Sequence, residues 1–158
     1  MSSSSPKKKY YTIDEANHAL PLVRAIASDI VRQYRDISER KERLDQVQRS
    51  RGKRGRQARD VYGEELAQVE QDLEKDIETL QGYVDELDRL GVEVKDFSRG
   101  LVDFRSLMDG REVYLCWQLG EADVAHWHEL DAGFSGRQSL LADLPAGGSD
   151  DALGAGHD

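Results

Sequence analysis

The residues with the clearest capacity for chemistry lie in the segment "REVYLCWQLGEADVAHWHELDAGFSGR", from Arg111 to Arg137. This segment holds the only cysteine of the chain, Cys116, and two of its four histidines, His126 and His128. Imidazole and thiolate groups both bind zinc and copper, and two histidines spaced i, i+2 on a strand point to the same side. The pattern therefore predicts a candidate site for a transition metal such as zinc, formed by Cys116, His126 and His128.

Strand register decides whether these three side chains meet. A two-residue turn at 120–121 would put Cys116 on the face away from both histidines. A three-residue turn would instead pair Cys116 with His126 and bring His128 to the same face, because a slip of one residue exchanges the two faces. The sequence does not determine the length of this turn, so both registers stay open at this point. No CxxC or HExxH motif strengthens the prediction of a metal site.

The same hairpin has side chains that could act as acid, base or nucleophile, namely Cys116, Glu121, His128 and Asp131. No nucleophile elbow, phosphate-binding loop or dinucleotide fingerprint surrounds them. We therefore expect a non-enzymatic protein. In the simplest alternative, His128 hydrogen-bonds a carboxylate such as Glu121 or Asp131, and Cys116 is a small buried residue.

Arg137 is the best candidate for binding an anion, because a guanidinium group can hold a carboxylate or phosphate through two parallel hydrogen bonds. Together with Glu121, Trp127 and Asp131 it forms a predicted ligand-binding group. The competing interpretation is a salt bridge from Arg137 to Asp131 or Glu129, with Trp127 in the core.

A second feature is the basic run "RSRGKRGRQAR" at 49–59, which has six basic residues and no acidic ones. The apolar pattern stops here, which predicts a loop. Its charges could contact nucleic-acid phosphates by releasing counterions, and the candidate residues are Arg51, Lys53, Arg54 and Arg56. No aromatic residue is interleaved for base stacking, which argues against sequence-specific RNA recognition. The alternatives are a solvated loop or a contact with an acidic tail.

The elements that must position these residues begin with two helices. Apolar residues recur every three or four positions along 10–48 and 60–90, which predicts an antiparallel, coiled-coil-like helical hairpin. Proline disrupts a helix interior, so we expect a kink at Pro21, with a short first helix and a long one after it. A single hairpin buries only one seam, and a homodimer would supply a broader core.

Beyond Gly91, the expected helix stop, the apolar period changes to two. The region 91–137 is predicted to form a small antiparallel meander of three or four strands. Residues 1–9 and the acidic stretch 142–158 read as disordered tails, which leaves 10–141 as one α+β domain.

Composition narrows the class of protein. The net charge of −9 argues against the whole chain being a nucleic-acid binder. A single cysteine fits a reducing compartment, and no apolar run reaches the ~20 residues of a membrane span. No signal-peptide pattern opens the chain, so we expect a cytoplasmic protein without a membrane segment.

Several stretches together, "YTIDEANHALPLVR", "LGVEVKDFSRGLVDF", "DGREVYLCWQLGE" and "WHELDAGF", with "GR" at Arg137, resemble the small bacterial family DUF2203, a domain of unknown function. The likeness covers about residues 10–141. It implies a cytoplasmic protein with a helical hairpin and a small β-region, and it brings no activity. The leading hypothesis is an interaction or scaffolding protein with an unknown protein partner. The alternatives are a metal- or ligand-binding protein and a ribosome or RNA accessory protein.

Overall fold

The computed structural model describes residues 9–54 and 57–140, except the side chains of 51–62. Two helices precede an antiparallel sheet, so the α+β prediction is confirmed, with five strands instead of three or four. The elements are α1 Ile13–Arg54, α2 Gln57–Leu90, β1 Val92–Asp96, β2 Leu101–Met108, β3 Arg111–Gln118, β4 His126–Glu129, a 3₁₀ turn Phe134–Gly136 and β5 Gln138–Ser139. The predicted tails at 1–9, apart from Lys9, and 142–158 lie outside the described residues.

Helix α1 begins at a reciprocal cap. The amide of Glu15 donates to Oγ1 of Thr12 (3.1 Å), and the amide of Thr12 donates to Oε1 of Glu15 (2.9 Å). The helix then continues through Pro21, so the prediction of a new helix starting there is wrong. Buried Leu20 and Val23 flank the proline, and we attribute the continuity to their packing, which outweighs the lost backbone hydrogen bond.

The connection between the two helices is shorter than the sequence pattern predicts. Helix α1 reaches Arg54 and α2 starts at Gln57, so most of the backbone expected to form a basic loop at 49–59 is helical. The apolar stripe is interrupted in this segment. The helices nevertheless continue into it, because glycine and charged residues lower helix propensity by only ~1 kcal/mol or less each. At its other end, α2 stops at Leu90 and Gly91 adopts φ 82°, as expected of a helix-terminating glycine.

The sheet is a meander in which each strand pairs with the next, in the order β1-β2-β3-β4-β5. Strands β2 and β3 are joined by a two-residue turn, with Met108 opposite Arg111. Both turn residues, Asp109 and Gly110, have positive φ (52° and 82°). That conformation matches the twist of the strands it connects, and it fixes the register of the whole β2–β3 ladder.

One face of the sheet packs against the base of the helical hairpin. The core combines α1 and α2 residues with alternate strand residues, and its most buried members include Val23, Ile30, Leu87, Val92, Val102, Phe104, Val113, Leu115 and Trp117. The intervening strand residues point to the other face. That second face is polar, and the candidate site lies on it. Within the described residues no helix is long and apolar enough to cross a membrane.

Candidate functional site

Three neighbouring strands place one polar side chain each at the middle of the second sheet face. Asp103 on β2 pairs with Cys116 on β3, and Cys116 pairs with His126 on β4. His128 lies two residues beyond His126 and therefore shares its face. The pairing predicted from the three-residue turn is confirmed, although the β3–β4 connection is the longer segment 119–125.

Asp103, Cys116 and His128 form a compact, buried cluster. One ligand atom from each lies within 4.8 Å of the other two. The three residues are 1%, 0% and 2% exposed, respectively. Buried polar groups of this kind require partners, since an unpaired buried carboxylate is very costly.

The hydrogen bonds of His128 define its protonation. Its Nδ1 lies 2.7 Å from the backbone oxygen of Glu129, and because a carbonyl oxygen can only accept, we assign a proton to Nδ1. Its Nε2 lies 3.0 Å from both carboxylate oxygens of Asp103. The lone pair of Nε2 and the carboxylate are both acceptors, so a single proton, or another cation, must lie between them.

Burial and nearby charge also hold the Cys116 thiol in its protonated form. Burial, which is the largest cause, and the adjacent Asp103 carboxylate, to which the thiol is hydrogen-bonded, together raise its pKa to about 12. Burial likewise raises the pKa of Asp103, against the opposing effect of His128. A thiol with so high a pKa and no exposure is a poor nucleophile, which argues against cysteine-based catalysis.

Tyr114 covers one side of the cluster. Its ring lies 5.4 Å from that of His128, between centroids, and its hydroxyl donates to Glu93 at 3.1 Å. Glu93 also accepts from Arg105 (2.8 Å) and Lys95 (2.9 Å). This network is charged, and its charges are paired within the sheet face.

His126 lies opposite Cys116, as the predicted register requires, but it does not belong to the compact three-donor cluster. Its Nδ1 is 4.0 Å from Oε2 of Glu121. The structure thus brings together two of the three predicted metal ligands and adds Asp103 to them.

Arg137 forms a salt bridge with the carboxylate of Glu121. Its guanidinium donates to both oxygens of Glu121, from Nη1 at 2.7 Å and from Nη2 at 2.9 Å. The predicted partners Asp131 and Glu129 were wrong, because Glu129 instead pairs with Arg111. Burial of Glu121 opposes its ionisation, but the hydrogen bonds from Arg137 and from the Gln118 amide prevail and lower its pKa.

The model of the family described as "Uncharacterized conserved protein (DUF2203)" matches residues 9–140. The chain belongs to the DUF2203 family. No curated protein matches it, and no solved structure does. Membership in DUF2203 confirms the resemblance, and any function must be argued from the site.

The remaining predicted ligand residues of this DUF2203 member lie apart. Trp127 pairs with Leu115 and belongs to the core on the opposite face, so it does not line the cluster. Asp131 is exposed in the turn after β4. Neither residue joins Arg137 in a common pocket, and the proposed ligand group of the sequence is not assembled.

The predicted nucleic-acid contacts lie at the distal end of the helical hairpin. The backbones of Arg51, Lys53 and Arg54 belong to the last turn of α1, while Arg56 and the three side chains lie outside the described part of the chain. The basic-tip hypothesis therefore stays a prediction.

Asp103 is the member of the cluster that was not predicted from the sequence. The signal was available in the turn "MDGR", since a two-residue turn at Asp109–Gly110 pairs Met108 with Arg111 and so places Asp103 opposite Cys116. The turn residues alone therefore predict a carboxylate opposite Cys116 in this hairpin.

Proposed function

We propose that this protein binds a zinc-type metal ion through Asp103, Cys116 and His128. The observation that carries the proposal is the convergence of three ligand atoms within 4.8 Å on three strands. Carboxylate, thiolate and imidazole are all zinc ligands, and zinc accepts mixtures of them in tetrahedral sites.

The orientation of His128 supports this function. Metal-bound histidines commonly donate their second ring N–H to a backbone carbonyl or carboxylate, which fixes the tautomer. Nδ1 of His128 contacts the Glu129 carbonyl in this way (2.7 Å), so Nε2 faces Asp103 and Cys116. The proton between Nε2 and Asp103 occupies the place that a metal ion would take.

The distances suit a small dication. In a tetrahedral zinc site with bonds of about 2.0–2.3 Å, neighbouring ligand atoms are roughly 3.4–3.6 Å apart. The 3.0 Å separation between His128 and Asp103 must therefore widen by only a few tenths of an ångström. The charge argument agrees, because a bound dication would balance the buried carboxylate and thiolate.

The combination of ligands also selects the metal. Thiolate and imidazole exclude magnesium and calcium, which prefer oxygen ligands, and the carboxylate makes the site less suited to Cu(I). Since the three donors are almost fully buried, we assign the ion a structural role, in which it ties β2, β3 and β4 together. A free thiolate ligand requires a reducing environment, and a cytoplasmic location would provide it.

The direct test is elemental analysis of full-length protein purified without a histidine tag, followed by zinc titration of the metal-stripped protein. We expect one zinc ion per chain in the wild type and its loss in Cys116→Ala. Arg111→Gln, which changes an exposed residue of the same strand, is the matched control. A wild-type protein that neither retains nor takes up zinc would disprove the function.

We infer a second function, protein interaction through the hairpin, from apolar residues beyond its base. The core with the sheet involves the base of the hairpin. Farther along, Leu66 and Val69 are buried, but Ile77 is 49% exposed, and Leu44, Val47 and Leu73 are only half-buried. Such a seam is suited to a second helical pair, and a homodimer is the simplest partner.

Sedimentation over a concentration series tests the dimer. We expect concentration-dependent association that weakens in Ile77→Gln, while Glu74→Gln, an exposed charged position on the same helix, leaves it unchanged. A monomer at every concentration would exclude self-association.

A further inference from the structure

His126 lies in the same cross-strand row as Asp103 and Cys116, at the end of the row away from β1. Asp103, Cys116 and His126 are directly opposite one another across β2, β3 and β4. Directly opposed residues have Cβ atoms about 4.5–5.5 Å apart. Cys116 therefore has Asp103 on one side and His126 on the other. His128 lies two residues farther along β4, on the same face.

The Glu121 carboxylate lies beside the imidazole of His126. Its buried Nδ1 lies 4.0 Å from Oε2 of Glu121. Glu121 is itself held in place by Arg137, at 2.7 and 2.9 Å, and by the amide of Gln118, at 2.9 Å. The 4.0 Å contact is longer than a hydrogen bond. A carboxylate that accepts a hydrogen bond from one ring nitrogen is a common outer-shell partner of a metal-bound histidine, whose other nitrogen binds the ion.

His126 also differs from the three inner donors in freedom of movement. Its side chain is 33% exposed, whereas Asp103, Cys116 and His128 are at most 2% exposed. The buried donors can change rotamer only by disturbing packed neighbours. A histidine at the rim can turn without that cost, so it can close the site after an ion has entered.

We propose that His126 is the fourth ligand, binding through Nε2, and that Glu121 is the residue that positions it. This inference rests on the proposed metal function. With His126 in place the ion has four protein ligands, Asp103, Cys116, His126 and His128, which is the closed coordination of structural zinc sites. Without it, water would hold the fourth position and the site would be open.

Cobalt substitution of the full-length, metal-stripped protein distinguishes these two states. Co²⁺ absorbs far more strongly in the visible range when four-coordinate than when water raises its coordination number, and a thiolate ligand adds a near-ultraviolet band. We expect the wild type to give an intense four-coordinate spectrum at one ion per chain. His126→Ala should keep the thiolate band, lose visible intensity and weaken zinc binding by at least ~10–100-fold.

Two further variants separate a ligand from a merely structural residue. Glu121→Gln should weaken zinc binding by up to about 10-fold while leaving the cobalt spectrum four-coordinate, as expected for an outer-shell group. His18→Ala removes an exposed histidine on α1 and should change nothing. Circular dichroism of each metal-free variant checks that the fold is retained.

The outcomes are distinct. If His126→Ala binds cobalt and zinc with wild-type affinity and spectrum, His126 is not a ligand, although the three-donor metal site stands. If the wild type binds neither ion, the metal function itself fails. Loss of binding in His128→Ala together with unchanged binding in His126→Ala would show a three-ligand site completed by water, which also overturns this inference.

Discussion

Nε2 of His128 lies 3.0 Å from both carboxylate oxygens of Asp103, and its Nδ1 is occupied by the Glu129 carbonyl. This geometry requires a proton between two groups that would otherwise be electron-pair donors facing each other. A metal ion can enter only by displacing that proton. Metal affinity and pH are therefore linked at this pair.

Zinc binding should release about two protons at neutral pH, one from the His128–Asp103 pair and one from the Cys116 thiol. The thiol contributes fully because its pKa, raised chiefly by burial to about 12, keeps it protonated in the metal-free protein. Affinity should consequently rise by up to ~100-fold per pH unit. Calorimetric titration in two buffers with different heats of ionisation measures the number directly, and a value near zero would contradict the proton-displacement scheme.

Asp103→Asn separates the fold from the metal function. The asparagine amide can donate to Nε2 of His128, so the buried hydrogen bond is kept in a neutral form. We expect an unfolding free energy within ~1.5 kcal/mol of the wild type but a loss of zinc affinity exceeding the ~10–100-fold typical of outer-shell changes. Proton release should also fall to about one. Unaltered zinc affinity in this variant would remove Asp103 from the ligand set.

Cys116 should be inert in the native, metal-free protein. It is 0% exposed, and burial raises its pKa to about 12 from an ordinary value of 9.0, so little thiolate is available to react. At pH 7.5 a thiol reagent should label the folded protein only through opening reactions, whereas the urea-unfolded chain should react at the rate of a free cysteine. Rapid, complete labelling of the folded protein would show that the cluster is open to solvent.

The helices and the β2–β3 hairpin were predictable because local signals determine them. The helix stop at Gly91 appears where it was predicted. The Thr12–Glu15 cap and the turn at Asp109–Gly110 likewise follow from local sequence patterns, a capping box and an Asp-Gly turn. Asp103 followed from the same turn by counting residues along the ladder. The choice between two registers concerned only β3 and β4, whereas Asp103 lies on β2, on the other side of Cys116.

The remaining features depend on tertiary contacts that no local pattern reveals. The irregular segment 119–125 is held by Asn17 of α1, whose side chain bonds both the amide and the carbonyl of Val124 (2.7 and 3.2 Å). Its Glu121 is held by Arg137, which precedes β5. Strand β5 has only two residues, too few for an alternation signal, and it forms because β4 offers a free edge.

The Glu121–Arg137 pair predicts a pH dependence of stability. The folded-state pKa of Glu121 is lowered, since hydrogen bonds to Arg137 outweigh the opposing effect of burial. Its contribution is therefore fully present above the ordinary pKa of 4.5 and is lost as the pH falls below that value through the folded-state pKa. Glu121→Gln should lower the unfolding free energy at pH 7 by about 1–3 kcal/mol and flatten its decline in acid.

Glu129→Gln is the control for that experiment. Glu129 also pairs with an arginine, Arg111, but both side chains are more exposed, at 39% and 52%. Solvent screens such a pair, so its loss should matter much less. Urea unfolding between pH 3 and pH 7 compares the two variants, and equal losses would show that Arg137 does not hold Glu121 in a special environment.

Gly100 is where the β1–β2 turn joins the sheet to the helical hairpin. Its φ is +64°, and a Cβ added there would lie 2.8 Å from Cβ of Leu119 and 3.1 Å from Cγ2 of Val31 on α1. Gly100→Ala should therefore combine backbone strain of ~1–2 kcal/mol with displacement of α1 from the sheet, for a total of ~3 kcal/mol or more.

Gly110→Ala is matched in backbone, with φ +82° and nothing within 4 Å, and should cost only the strain. Urea unfolding separates the two. Equal destabilisation would mean that the close approach of turn and helix at Gly100 contributes nothing, whereas a larger loss at Gly100 would show that this contact fixes the sheet, and with it the Asp103–Cys116–His128 cluster, on the hairpin.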